Sequence, residues 1–480
     1  MAYPALRLFI AGQWLDRGTR SGAAVLNPAD GTTIGEVPLA TPGDIAEALT
    51  SASAAFAAWS RTNPFDRATL LQAAATAIRA QREGLARTVT LELGKPLRES
   101  LAEVEQAAGM FDWAAQEAMR LNGRVIPGRS PGLHQFTAWE PIGPVAAFSP
   151  WNAPLLTPAR KLSSTLAAGC SVILKPSEET PASALHLARI LDECGLPPGV
   201  VQVLFGEPGT LARQVLTSPA VRGLTFTGST RVGKLLAQQA LENVARLVLE
   251  LGGHAPVIVL DDVDAEAVAS AAAAAKFRNA GQICTSPTRF YVQSGAYARF
   301  RDAFVAATER IRVGDGFDPA ATMGPVVSDP RRAALEEMIA DARAHGARLL
   351  TGGTRPDRPG FFLAPTVLED VPDACRAATV EPFGPLALLA RFDDDAAALA
   401  QANRLPFGLA AYVMGRDMAR VHRCVAGLAS GNVVVNHWRV SQPETPFGGI
   451  GQSGLGLEGA HEGVQAFLNQ KFVTMSLSTD

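Results

Sequence analysis

Between about residues 143 and 250 the chain alternates short apolar runs with helix-length amphipathic stretches, a rhythm that few folds accept. The runs are Val145-Ala-Ala-Phe148, Val172-Ile-Leu174, Val201-Gln-Val-Leu-Phe205, Leu224-Thr-Phe226 and Leu247-Val-Leu249. Between them, 157–168, 181–194 and 229–241 carry apolar residues at helical spacing. Repeated strand–helix–strand units of this size predict a doubly wound α/β domain, a parallel sheet covered on both faces. Ligands bind such sheets at the carboxyl ends of the strands, so the residues just after each run are where chemistry is expected. A second set of runs (Val257-Ile-Val-Leu260, Phe290-Tyr-Val292, Leu386-Ala-Leu-Leu389 and Val433-Val-Val435) predicts a second α/β domain. Upstream, Thr41-Pro42 starts a helix whose Ile45, Leu49, Ala52, Phe56 and Trp59 share one face. The Gly- and Pro-rich stretch 121–140 fits neither domain and reads as an extended arm, as do the last dozen residues.

Composition closes off several function classes. The 480 residues suffice for two to four domains, and 47% hydrophobic against 19% charged residues is an ordinary globular balance. With 43 basic and 46 acidic residues, a net charge of −3 and no Lys/Arg block, no nucleic-acid partner is expected. No basic-then-apolar leader and no apolar run of membrane-spanning length occur, so the expectation is a soluble cytoplasmic protein with no membrane partner. The five cysteines (170, 194, 284, 375 and 424) are odd in number, widely spaced and free of C-x-x-C, which predicts reduced thiols. The histidines show no i, i+4 pair and no cluster with cysteine, so no metal site is expected.

Each candidate motif admits two readings. Asn152, in Ser149-Pro-Trp-Asn152, is a turn residue or a donor to a developing oxyanion. Lys175-Pro-Ser-Glu178 is a surface salt bridge or a ribose-binding pair whose carboxylate would repel a 2′-phosphate. In Phe226-Thr-Gly228-Ser229-Thr230, the serine is a plain helix cap or a phosphate donor at the positive end of a helix. Glu250, in Leu249-Glu-Leu-Gly-Gly253, is an edge-strand surface residue or a desolvated general base. Glu381-Pro-Phe383 is a proline turn, or a second ribose contact with a ring to stack on. Cys284, in Asn279-Ala-Gly-Gln-Ile-Cys284, is an inert small hydrophobe or a nucleophile. Gly454-Leu-Gly-Leu-Glu-Gly459 spells G-x-G-x-x-G but lies too near the end for the strand of a dinucleotide unit to follow, and is not read as a nucleotide loop.

In order and spacing, Pro150-Trp-Asn152, Lys175-Pro-Ser-Glu178, Phe226-Thr-Gly-Ser-Thr230, Leu249-Glu-Leu-Gly-Gly253, Gly281-Gln-Ile-Cys284, Glu381-Pro-Phe-Gly-Pro385 and Pro446-Phe-Gly-Gly449 resemble the aldehyde dehydrogenase superfamily across essentially the whole chain. The resemblance implies a Rossmann-like NAD-binding domain (1–122 and 142–252), a catalytic α/β domain (253–445) and an oligomerisation arm (123–141 and 466–480) serving a homodimer or homotetramer. It implies that Cys284 is the nucleophile, Glu250 the deacylation base, and Asn152 with the Cys284 N–H the oxyanion hole. Lys175 and Glu178 would hold the adenine ribose, with Trp151, Gly228 and Ser229 along the adenosine–pyrophosphate path. Glu381 and Phe383 would position the nicotinamide ribose. NAD is the implied cofactor, NADP the less favoured one. The implied reaction turns a small-molecule aldehyde into a carboxylate through a thiohemiacetal and a thioester, and Glu250 favours hydrolysis over transfer to coenzyme A.

Arg160 and Arg289 resemble the pair with which succinate-semialdehyde and α-ketoglutarate-semialdehyde dehydrogenases hold a distal carboxylate, and guanidinium forks suit carboxylates. The expected substrate is therefore a short ω-carboxylated semialdehyde. The alternatives are an enzyme for uncharged aldehydes, with both arginines structural, and a catalytically silent homologue. Ser286 stands where some succinate-semialdehyde enzymes carry a second cysteine, so no redox switch is expected. Gln452 replaces the lysine of the Phe-Gly-Gly-x-Lys form, and residues around Arg439 to Glu444 are expected at the substrate entrance.

Overall fold

The computed structural model describes residues 3–476; the outermost residues of the expected NAD-binding domain and arm, Met1, Ala2 and 477–480, lie outside the described residues. Five parallel strands form the centre of the first sheet, in the spatial order Val201–Val203, Val172–Lys175, Val145–Phe148, Gly223–Thr227 and Arg246–Glu250. The chain starts in the middle strand, builds outward to one side, then crosses over and builds to the other. The strand order thus reverses between Val145–Phe148 and Gly223–Thr227, and the loops leaving these two strands diverge to open a crevice. Strands Leu8–Ile10 and Gln13–Leu15 extend one edge. Gly454–Leu455 closes the other, antiparallel to Leu249 and Glu250, where sequence periodicity gave no sign of a strand.

The apolar runs are buried on both faces as their composition demands: Val145, Val172, Ile173, Val203 and Leu224 have no exposed surface. Helices Pro42–Trp59, Leu156–Ala168 and Pro181–Glu193 pack on the sheet. The first begins with a capping box, Thr41 accepting from the Asp44 N–H and the Asp44 carboxylate accepting from the Thr41 N–H, and it buries Ile45, Ala52 and Trp59.

The second sheet has the order Arg348–Thr351, Thr366–Glu369, Leu386–Phe392, Arg289–Gln293, Pro256–Val259, Ala410–Met414 and Asn432–Val435, all parallel except the first. Three of these strands were not anticipated. Arg348–Thr351 and Thr366–Glu369 mix polar and apolar residues, and Ala410–Met414 opens on two alanines, which favour strands weakly. A third, mostly exposed sheet pairs Leu133–Pro141 with Leu468–Ser476 over nine residues, with Val125–Ile126 outside. Among the described residues no helix is long and apolar enough to cross a membrane.

Candidate active site

The Cys284 loop enters through a left-handed kink. After helix Ala265–Phe277, the residues Asn279, Ala280 and Gly281 take φ of 48°, 52° and 71°. For the two that are not glycine this costs about 1–2 kcal/mol each, so surrounding contacts must hold them. Glu99 Oε2 accepts from the Asn279 N–H at 2.9 Å, and Asn279 Nδ2 donates to the Asn152 carbonyl at 3.0 Å. The Gln282 Oε1 accepts from the Val327 N–H at 2.9 Å. Gly281 is required twice over, because a Cβ there would lie 2.1 Å from the Gly384 carbonyl oxygen. The loop delivers a half-buried, free Cys284 thiol to the crevice.

Asn152 and Glu250 meet it there. Asn152 Nδ2 donates to the Gln282 carbonyl at 3.0 Å, two residues from the thiol, which leaves its second N–H uncommitted. Glu250 ends strand Arg246–Glu250, is 3% exposed, and has a buried Oε1 with no hydrogen-bond partner among the described residues. Burial, reinforced by the negative charge of Glu458, pushes its carboxyl up to about 7. Burial likewise drives the Cys284 thiol well above its ordinary value, with the neighbouring Glu250 adding to the shift.

Glu458 belongs to the glycine-rich stretch near the end, and the sequence reading missed it. Its Oε1 accepts from Lys161 Nζ at 2.6 Å and Thr225 Oγ1 at 3.0 Å, and Arg160 Nη1 lies 3.8 Å from Oε2. Burial alone would raise this carboxyl, but the Lys161 and Arg160 charges outweigh it and hold it below the usual range. The signal that exposed Glu250, a lone carboxylate among apolar residues and glycines, was equally present in Leu455-Gly-Leu-Glu458.

On the far side of the crevice, Lys175 Nζ pairs with Glu178 Oε2 at 2.6 Å, and Glu178 Oε1 accepts from the Gly206 N–H at 3.3 Å. Ser229 caps helix Thr230–Leu241, accepting from Val232 N–H at 3.4 Å, while the Gly228 N–H donates to the Glu250 carbonyl at 3.0 Å. Trp151 and Phe383 meet edge to face with ring centroids 5.4 Å apart. Phe383 is held at φ 42° with Arg331 donating to its carbonyl at 3.2 Å. Burial raises the Glu381 carboxyl to about 8, only partly countered by the Gly253 N–H and Arg331.

The aldehyde dehydrogenase family model matches residues 14–473. The chain belongs to the aldehyde dehydrogenase family. It is 42% identical to the NADP-linked succinate-semialdehyde dehydrogenase of Escherichia coli, covering 98% of this chain and 97% of that one. It is 43% identical to 4-(hydroxymethyl)benzenesulfonate dehydrogenase of Comamonas testosteroni, covering 98% of each. Betaine aldehyde dehydrogenase from Staphylococcus aureus, solved in complex with NAD+, superposes with a TM-score of 0.96 at 32% identity, covering 99% of this chain and 95% of that one. The enzyme is thus an NAD(P)-dependent oxidoreductase of aldehydes.

The two arginines expected to share a substrate role part company in this aldehyde dehydrogenase. Arg160 Nη2 donates to Ser441 Oγ at 2.9 Å, its guanidinium lies 4.8 Å from the Phe447 ring centroid, and its Nε is buried without a partner among the described residues. Its charge bears on both Cys284 and Glu250. Arg289 is a correction. Its Nε donates to the His254 carbonyl, its Nη1 to Tyr291 Oη and the Gln401 carbonyl, and its Nη2 to the Ala402 carbonyl, at 2.8–3.2 Å. Four of its five N–H groups are thereby spent, two of them on carbonyls at the end of helix Asp395–Asn403. It lines a cavity of about 470 Å³ that none of Cys284, Glu250 or Asn152 borders. The exposed cation beside the nucleophile loop is instead Arg278, which makes no ion pair among the described residues. Its charge acts on Tyr412, whose hydroxyl donates to the Thr285 carbonyl at 2.6 Å.

Folding also produces a cluster that spacing had hidden: ligand atoms of Asp341, His345 and Cys375 lie within 4.8 Å of one another, so histidine and cysteine do come together. The His345 Nδ1 is engaged with the Asp341 carbonyl at 2.8 Å, and Asp341 Oδ2 accepts from the Arg376 N–H at 3.0 Å.

Proposed function

We propose that this enzyme oxidises a short semialdehyde carrying a distal carboxylate, such as succinate or α-ketoglutarate semialdehyde, with NAD in preference to NADP, and releases the acid by hydrolysis. The observation that carries the reading is the convergence of a thiol, a buried carboxyl hydrogen-bonded to it and a free amide N–H at Cys284, Glu250 and Asn152, with the Arg160 charge bearing on the same point. The Cys284 thiol gives up its proton to solvent, Sγ adds to the aldehyde carbon, and the oxygen that gains the electron pair is held by Asn152 Nδ2 and the Cys284 N–H. Bound NAD supplies the hydride acceptor. With the carbonyl re-formed as a thioester, Glu250 draws a proton from water as the water oxygen adds to the carbonyl carbon, and hands it to sulfur as the C–S bond breaks, which returns the thiol. A carboxyl near 7 suits that task, since both of its protonation states are populated at neutral pH.

The residues fit a dinucleotide. Glu178, pinned by Lys175, offers a carboxylate to ribose hydroxyls and repels a 2′-phosphate; Ser229 sits at a helix N-terminus suited to pyrophosphate, with Trp151 along the same path; Phe383, against whose ring Trp151 rests, and Glu381 stand at the nicotinamide end. Arg160 and Arg278 replace the pair first expected for the distal anion. The names of both curated relatives denote molecules with an anionic end, in keeping with this. The same reading assigns 1–122 with 142–252 to cofactor binding, 253–445 to catalysis, and the exposed sheet of 123–141 with 466–480 to assembly as a homodimer or homotetramer in the cytoplasm.

A panel of aldehydes with both cofactors tests it. NADH formation should be fastest with succinate or α-ketoglutarate semialdehyde. Equal kcat/KM for hexanal and benzaldehyde would overturn the anionic substrate, and a higher kcat/KM with NADP would overturn the role of Glu178.

A further inference from the structure

No step of the chemistry above uses Lys95 or Glu103, yet this pair is buried, at 6% and 5% exposure, where the chain enters helix Leu97–Ala118. Replacing a buried ion pair by apolar residues of similar volume is often neutral for stability, so the pair calls for a further reason. Its hydrogen bonds supply one. Glu103 Oε2 accepts from Lys95 Nζ, which leaves Oε1 to accept from the Leu155 N–H at 2.9 Å and the Leu156 N–H at 3.0 Å. These are leading donors of helix Leu156–Ala168, whose N-cap residue, Leu155, has no side-chain acceptor to offer them. Glu103 caps that helix from outside, with a carboxylate at its positive end. Lys95 Nζ also lies 3.5 Å from the Asn152 carbonyl oxygen, to which Asn279 Nδ2 donates at 3.0 Å. One turn before Glu103 on the same helix, Glu99 accepts from the Asn279 N–H at 2.9 Å. Successive carboxylates of one helix thus hold the loop of Asn152 and the loop that leads to Cys284. The start of the helix is fastened in turn to the segment after helix Ser294–Glu309: the Leu97 N–H donates to the Gly316 carbonyl at 2.9 Å, and Arg98 to the Ala321 and Thr322 carbonyls at 2.9 and 3.1 Å.

We propose that Glu103 is a positioning residue, held in place by Lys95, that sets Asn152 Nδ2 where the aldehyde oxygen gains its charge. The proposal rests on the reading of Asn152 as the oxyanion donor. Asn152 stands three residues before Leu155, so the Glu103 carboxylate fixes the far end of its loop, while the bond from Asn152 Nδ2 to the Gln282 carbonyl fixes the amide against the nucleophile loop. Losing the Glu103 acceptor frees the first of these anchors and leaves the second. A donor stabilises a developing charge only within hydrogen-bond reach of it, and a displacement of about 1 Å costs on the order of 10²-fold in rate.

The test is single-turnover NADH formation, followed by stopped-flow absorbance with saturating NAD+ and enzyme in excess over succinate semialdehyde. Lys95→Met with Glu103→Leu removes both charges together, so neither is left buried alone, and should slow NADH formation about 10–100-fold with the Kd for NAD+ unchanged. Lys95→Met with Glu103→Gln returns an oxygen to the Leu155 and Leu156 N–H groups and should recover most of that rate, which a role confined to the charge pair would not produce. Asn152→Ala should slow the step about 10²–10³-fold. Adding Lys95→Met and Glu103→Leu to it should cost less than about twofold more, because the donor they position is gone. If that double variant does not fold, Glu103→Asp keeps the pair with Lys95 but draws the acceptor back, and its loss of about tenfold should likewise vanish beside Asn152→Ala. With Asn152→Ala slow, losses that multiply, a wild-type rate without the Glu103 acceptor, or no recovery with glutamine would each overturn the role of Glu103 alone. A wild-type rate in Asn152→Ala would overturn the oxyanion reading and this proposal together.

Discussion

The two walls of the crevice are built on different principles. On the cofactor side, fixation is local: Lys175 and Glu178 pair three residues apart, and Ser229 caps the helix it begins. On the nucleophile side, the strained stretch Asn279–Gln282 is held by Glu99, Asn152 and Val327, which lie 180, 127 and 45 positions away. A locally fixed wall keeps its shape when distant packing is disturbed. A wall held from afar reports on the whole fold, and chemistry should fail there before binding does.

The largest break is at the base. Glu250→Gln should lower steady-state turnover by about 10²–10⁴-fold while leaving a burst of NADH from the first turnover, which stopped-flow absorbance would resolve. Loss of the burst as well would mean that Glu250 acts before the thioester forms. Because its carboxyl stands near 7 and works as the ionised base, wild-type turnover should rise with pH through about 7, and this limb should vanish in the variant.

Asn279→Leu goes to the comparison itself, removing the side-chain bond to Asn152 and putting a branched residue at φ 48°. Strain of about 1–2 kcal/mol plus a lost hydrogen bond predicts a fall in kcat on the order of 10–100-fold and a lower Tm, with NAD affinity unchanged. Parallel losses in NAD affinity and kcat would show that the walls are not independent. Glu178→Gln, on the local wall, should move the NAD-to-NADP ratio of kcat/KM by about tenfold with kcat intact. The smallest effect on activity belongs to Arg289→Met. It should lower Tm by removing the donors to the Gln401 and Ala402 carbonyls at the end of helix Asp395–Asn403, yet leave the ratio of kcat/KM for charged and neutral aldehydes where it was, whereas Arg160→Met should collapse that ratio.

What could be read in advance follows the same division. The central strands of the first sheet declare themselves because burial on both faces demands unbroken apolar runs, and Asn152, Lys175, Glu178 and Ser229 follow those runs directly. The loop at Cys284 was legible as a motif but not as a conformation, since its left-handed entry depends on partners far along the chain. Arg289 shows the limit from the other side. Proximity to Cys284 in sequence suggested a shared site, but Arg289 begins a strand whose direction carries its guanidinium toward another cavity. Arg278 was passed over because a single arginine at a helix end carries no periodic signal. Glu458 was passed over because its partners, Lys161 and Thr225, lie 297 and 233 positions away.

Gly454–Leu455 carries a consequence for biosynthesis. Glu250 is seated by residues near the opposite end of the polypeptide: Gly454 is its strand partner, the Leu251 N–H donates to the Ser453 carbonyl at 2.9 Å, and Ser453 Oγ donates to the Gly252 carbonyl at 2.7 Å. As the chain leaves the ribosome, thiol and carboxylate therefore emerge well before the segment that aligns them. A nascent or prematurely terminated product holds a cysteine able to meet aldehydes without the seated base that frees it again, and such a product is expected to be a trap for its own substrate rather than a slow enzyme.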